Sequence, residues 1–100
     1  MEITIRNNPE NVVAILSGSF DTLAAEQTEP SVKELEALAS KPITIDCNAL
    51  DYVASSGLRV FLRIRKASAA KGRQVTLLGV NENIREGLKV THFDRMFIMK

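Results

Sequence analysis

The run Ala54-Ser55-Ser56-Gly57-Leu58-Arg59-Val60-Phe61-Leu62 holds the residues best placed to do chemistry. Two adjacent hydroxyls stand where a strand-like stretch, Pro42 to Cys47, hands over through a short loop to an amphipathic helix. The opening turn of a helix carries N–H groups with no partner inside the helix, together with the positive end of its dipole. Anions are stabilised there, so a phosphate ester on Ser55 or Ser56 would be tolerated or even favoured. The plain alternative is a serine that only caps the helix, with a loss of ~1 kcal/mol on removal of its hydroxyl. Arg59, Arg63 and Lys66 recur at helical spacing on the flank of the two serines. That stripe suits an acidic partner surface or a phosphate, and equally a solvated helix face.

The remaining reactive side chains give little. Cys47 ends a strand with no histidine near it in sequence, which reads as a small buried apolar residue rather than a nucleophile. As the single cysteine it forms no internal disulfide and fits a reducing, cytoplasmic setting. His92 is the only histidine and lies far from Cys47, so no metal-ligand set is expected. A triad of Ser55, His92 and Asp21 would need a Gly-x-Ser-x-Gly elbow, and Tyr52-Val53-Ala54-Ser55-Ser56-Gly57 lacks the first glycine. Asp21 and Asp46 are the carboxylates nearest to strand-end loops; Asp21 reads as a helix cap. Asp51 falls in the loop before the serines. No glycine-rich phosphate loop is present, so no nucleotide cofactor is implied. These residues describe a chain without catalysis of its own, without metal and without cofactor.

A formal net charge of +1 gives no argument for direct nucleic-acid binding or for a membrane surface. No apolar run is long enough to span a bilayer, and Met1 to Arg6 is no signal peptide. One hundred residues suffice for a single domain, 1–100, with one core.

The elements that must position the serines follow from hydrophobic period and turn chemistry. Glu2 to Arg6 alternates as a half-buried strand, and Val12 to Leu16 is a continuous apolar run of a more central one. With Asn7 to Asn11 as a turn, the two form an N-terminal hairpin. Asp21 caps a helix starting at Thr22, which Pro30 breaks or kinks; beyond it Val32, Leu35 and Leu38 keep helical spacing. Ile43 and Ile45 mark a third strand. The helix of the serines runs from about Ser55 to Lys71 and ends at Gly72. Leu58, Phe61, Leu62 and Ala69 are expected on its interior face, with Arg65 snorkelling at the edge. Gln74 to Leu78 is a strand, Asn81 caps a helix with Ile84 and Leu88 on one face, and Met96 to Met99 is a last strand or docked tail. Strands alternating with helices after a hairpin predict an α/β domain with a mixed sheet and helices packed against it.

The chain resembles the STAS-domain family, and within it the anti-sigma factor antagonists. The resemblance rests on Ile43 to Asp46, then Leu50, Val53 and Ala54-Ser55-Ser56-Gly57-Leu58, on Gly18-Ser19-Phe20-Asp21, and on Gly72 to Gly79. Where the family pattern has Asp before the first serine, this chain has Ala54. The resemblance implies a phosphorylation-switched protein that binds an anti-sigma factor/serine kinase and regulates transcription indirectly. Ser55 would be the phosphoacceptor, ahead of Ser56. Asp21, Ser55, Ser56, Gly57, Arg59 and Arg63 would contact the partner. The alternative is a constitutive STAS subunit of a transport or sensory complex, never phosphorylated.

Overall fold

The computed structural model describes all 100 residues, Met1 to Lys100. The alternating and apolar runs at the N-terminus form β1 (Glu2–Asn7) and β2 (Val12–Phe20), paired antiparallel as a hairpin. Asp21 caps α1 (Thr22–Gln27) by accepting from the Ala24 N–H at 2.8 Å. The chain then divides at Thr28, whose hydroxyl donates to the Ala24 carbonyl at 2.7 Å. Pro30 therefore does not kink a helix; it sits in the first turn of α2 (Glu29–Ala37), where its missing N–H costs nothing. Next come β3 (Ile43–Val53), α3 (Ser55–Ala69), β4 (Val75–Leu78) and α4 (Glu82–Val90). A short 3₁₀ turn, Phe93–Met96, leads into β5 (Ile98–Met99).

The five strands lie in the order β1-β2-β3-β4-β5, and every pair after the hairpin is parallel. Strand alternation sorts side chains by face. Val12, Ala14 and Leu16, Ile43, Ile45 and Cys47, and Val75 and Leu77 are buried. They join Ala24, Val32, Leu35, Phe61, Ile64, Ile84 and Leu88 in one cluster, so all four helices cover the same face of the sheet. The alternate residues Val13, Ile15, Thr44, Asp46, Thr76 and Leu78 are only half-buried, on the face without helices. Each fully buried Leu or Ile stabilises this arrangement by about 1.5–3 kcal/mol.

Two expectations change. Asn48 to Val53, including Asp51, is strand rather than loop, because β2 stays paired with it as far as Phe20↔Val53. Register shifts at Ile15/Ser17 and Gly18/Ser19 absorb two extra residues of β3, as β-bulges do. The second change is the buried face of α3, which consists of Gly57, Val60, Phe61, Ile64 and Ser68. Leu58 and Leu62 are half-buried flanks and Ala69 is exposed. Two of the five, Gly57 and Ser68, are small residues that hydrophobicity alone does not select. Arg65 snorkels as expected, its Nε donating to the Met96 carbonyl at 2.8 Å. The helix stops at Ala69, and Gly72 (φ +71°) makes the turn that leads out of it.

Ser68 is fully buried, and its hydroxyl has no hydrogen-bond partner. Such a group carries its desolvation cost uncompensated. Ser68→Ala should therefore stabilise the fold by about 1 kcal/mol, raising the midpoint of thermal unfolding by roughly 4–8 °C for a domain of this size. Calorimetry of the two proteins checks this.

Candidate functional site

The site stands where β2 and β3 end side by side and two helices begin. Phe20 and Val53 are register partners, and the Ala54 N–H donates to the Phe20 carbonyl at 2.9 Å. One residue further on, α1 starts from Asp21 and α3 from Ala54. The first turns of the two helices therefore lie together, and the Thr22 and Ser56 hydroxyls share a hydrogen bond at 3.1 Å. Ser55 is exposed and makes no side-chain hydrogen bond.

The N-cap of α3 is Ala54 (φ −78°, ψ 170°), which has no side chain able to cap. Ser55 is thus the first residue inside the helix and not its cap. The ~1 kcal/mol capping loss expected for Ser55→Ala has no basis in this geometry. An uncapped first turn leaves N–H groups unpartnered beside a free hydroxyl.

Gly57 is what lets α3 come this close. A Cβ there would lie 2.8 Å from the Phe20 carbonyl oxygen, 2.9 Å from Val53 Cγ1 and 3.0 Å from the Phe20 ring. Beneath it, Phe20 packs edge-to-face on Phe61 (5.8 Å, 74°), and Phe61 on Phe97 (6.5 Å, 73°).

The basic stripe is divided. Arg63 is held bidentate by Glu29 at 2.7 and 2.9 Å and by Glu36 at 2.8 Å, tying α3 to α2. The Arg63 hydrogen bond holds the Glu29 carboxyl below its usual range, and the two carboxylates push the guanidinium above its own. Reversing Arg63 to glutamate would set a third carboxylate against these two, so it is no neutral surface change. Arg59 and Lys66 are exposed and in no ion pair. Arg59 lines an open polar basin with Thr22, Ser56, Glu26, Glu29 and Arg63.

Asp21 is exposed and serves as the α1 cap. Asp46 is held away from the site by Asn48, whose backbone and side-chain N–H groups donate to it at 3.0 and 2.8 Å. Asp51 lies on the β3 edge of a second hollow, with its backbone carbonyl accepting from the Asn81 amide at 3.2 Å. His92 stands in the turn after α4 in a left-handed conformation (φ 62°). Cys47 is fully buried, and burial pushes its thiol up to about 12; a thiolate nucleophile is absent at neutral pH. No helix is long and apolar enough to cross a membrane.

Sequence reasoning missed the apolar surroundings. Tyr52, two residues before Ala54, and Leu23, in the first turn of α1, are 55% and 60% exposed. Tyr52, Val53 and Leu58 also line a groove of about 280 Å³ closed by Ile84, Gly87 and Leu88 of α4. Exposure of an apolar residue leaves no mark in the sequence.

Two substitutions test this geometry. Gly57→Ala should push the first turn of α3 off Phe20 and destabilise by about 1–3 kcal/mol, read as a fall in the denaturant midpoint. Ala54→Asp should supply the missing cap and stabilise by about 1 kcal/mol, read the same way. An unchanged midpoint in either would contradict the packing described.

Residues 2–100 match the family model of the STAS domain. A Bordetella bronchiseptica protein named as an anti-sigma factor antagonist, BtrV, is 26% identical over 97 residues, covering 97% of this chain and 84% of its own. A Thermotoga maritima structure described as an anti-sigma factor antagonist superimposes with a TM-score of 0.85 at 19% identity, covering 97% of this chain and 84% of that one. The Bacillus protein SpoIIAA, an anti-sigma factor antagonist solved in unphosphorylated and phosphorylated forms, gives TM-scores of 0.75 and 0.74 at 23% and 19% identity. Both alignments cover 99% of this chain, and they cover 87% and 91% of SpoIIAA. Since the family model spans all but the first residue, the chain belongs to the STAS-domain family, among relatives of the anti-sigma factor antagonist type.

Proposed function

We propose that this chain is an anti-sigma factor antagonist switched by phosphorylation of Ser55. The observation that carries the reading is the contrast between the two serines. Ser56 is engaged with Thr22, whereas the neighbouring Ser55 hydroxyl is exposed and uncommitted at an uncapped helix start. Unmodified, the surface around Ser55 binds an anti-sigma factor that is also a serine kinase, and the sigma factor is freed. The partner brings the nucleotide and the catalytic groups; this chain brings the acceptor. In the transfer, the Ser55 Oγ–P bond forms as the bond from phosphorus to the departing nucleoside diphosphate breaks. The hydroxyl proton passes to a base on the partner.

Release follows from charge and hydration. A dianion in a close interface must be stripped of water and repels any acidic groups opposite it. A loss of ~3 kcal/mol lowers affinity more than a hundredfold. Asp21, Ser56 and Arg59 form the contact surface with the acceptor, Tyr52 and Leu23 supplying its apolar part; Gly57, expected from the sequence to touch the partner, is buried against Phe20 and holds the turn from beneath. Arg63 supports that surface from behind through α2. The protein acts on transcription indirectly, in the cytoplasm, without contacting nucleic acid and without catalysis of its own.

The other reading, a constitutive subunit of a larger complex, is favoured by one feature. Ala54 stands at the cap where the family pattern has an acid, so no carboxylate directly precedes the acceptor in the chain. Labelled-phosphate transfer from the host's candidate anti-sigma kinase separates the two. The switch requires incorporation into wild type and Ser56→Ala but not into Ser55→Ala, with partner binding weakened by Ser55→Asp. No incorporation, together with binding indifferent to Ser55→Asp, would establish the constitutive reading in its place.

A further inference from the structure

The modified state raises its own question: where the new charge goes. Four cations lie along α3 beyond the serines, and they are not equivalent: Arg65 is spent on the Met96 carbonyl. Arg63 is already satisfied by Glu29 and Glu36. Lys66 is 11 residues from Ser55, roughly 16 Å along a helix axis. Arg59 is four residues on, exposed, and free of any ion pair. Side chains on a helix lean towards its N-terminus, so a residue at i+4 reaches back over residue i. Arg59 also lines one basin with Thr22 and with Ser56, the residue after the acceptor, so it lies on the flank of α3 that carries the serine turn.

We propose that Arg59 is the intramolecular receiver of the phosphate on Ser55. The guanidinium pairs with the phosphate oxygens, and the chain holds the new charge against its own helix. This rests on the reading of Ser55 as the acceptor and assigns Arg59 a positioning part in the modified state. The groups facing Arg59 across the basin are Glu26 of α1 and Glu29 of α2, with Arg63 beside it on α3. Glu29 is occupied by Arg63, so the carboxylates left to compete are Glu26 in the basin and Asp21 at the α1 cap.

The test needs no kinase. Phosphoserine is installed at position 55 of the full chain during translation, and the phosphorus resonance is followed against pH. A free phosphoserine loses its second proton near pH 6. Both the helix start and Arg59 lower that value, so the informative quantity is the change on substitution. Arg59→Gln should raise the phosphate's titration midpoint by about half a unit, roughly threefold in proton affinity, as an exposed ion pair supplies. Arg59→Lys should recover part of the shift, and the difference should shrink in 1 M salt, where the screening length is about 3 Å. Lys66→Gln should leave the midpoint unchanged. Thermal melts of each variant show that the fold survives, as expected for exposed positions. Equal midpoints in Arg59→Gln and its parent would overturn the proposal, as would a shift from Lys66→Gln as large as that from Arg59→Gln. Either result would leave the switch reading intact. A partner indifferent to the phosphate would sink that reading and leave the role of Arg59 standing.

Discussion

The serine end of this molecule depends on how closely the first turn of α3 approaches the last residue of β2. A helix following a strand normally keeps its distance through its own side chains. Here the residue facing the sheet is Gly57, and the Phe20 carbonyl and ring occupy the space a Cβ would need. That contact, with the Ala54 N–H to Phe20 bond beside it, brings the starts of α1 and α3 into one surface. The Thr22–Ser56 hydrogen bond, the polar basin and the exposed Ser55 hydroxyl all follow from that proximity.

Electrostatics adds a second level of order. A row of three cations on one helix would repel itself and attract anions indiscriminately. Folding instead commits the middle one, Arg63, to a fork of two carboxylates from α2. The tie is partly solvated, so it serves orientation more than stability. It fixes α2 against α3 and leaves Arg59 as the free cation nearest the serines.

Much of this was legible in the residues themselves, for identifiable reasons. Asn81 before Ile84 and Leu88, Asp21 before Thr22, and Gly72 beyond the last helical turn are local signals, and each acts locally in the structure. The serines could be placed at a helix start because strand and helix periods change between Cys47 and Leu58. The length of β3 could not be read, because Asn48 to Val53 does not alternate and owes its strand to pairing with the bulged end of β2. The burial of Ser68 and Gly57 in place of Leu62 and Ala69 was hidden because close packing selects for small size, not hydrophobicity. The fate of Arg63 was hidden because its partners lie 34 and 27 residues away. Ala54 was visible as a departure from the family pattern, but only the backbone shows that it occupies the cap itself.

The row of rings from Phe20 through Phe61 to Phe97 runs beneath the serine turns into the chain just before β5. A floor of interlocked aromatic rings has few low-energy alternatives, so the surface above it is set before anything docks. A partner docking on that surface, as proposed, would meet no segment that must first become ordered, and the entropic cost of association would be confined to the two bodies and a few side chains. On the proposed reading, encounter would run at the rate of rigid docking, about 10⁵–10⁷ M⁻¹s⁻¹. Chemistry at the surface would then change how long such a complex lasts far more than how fast it forms.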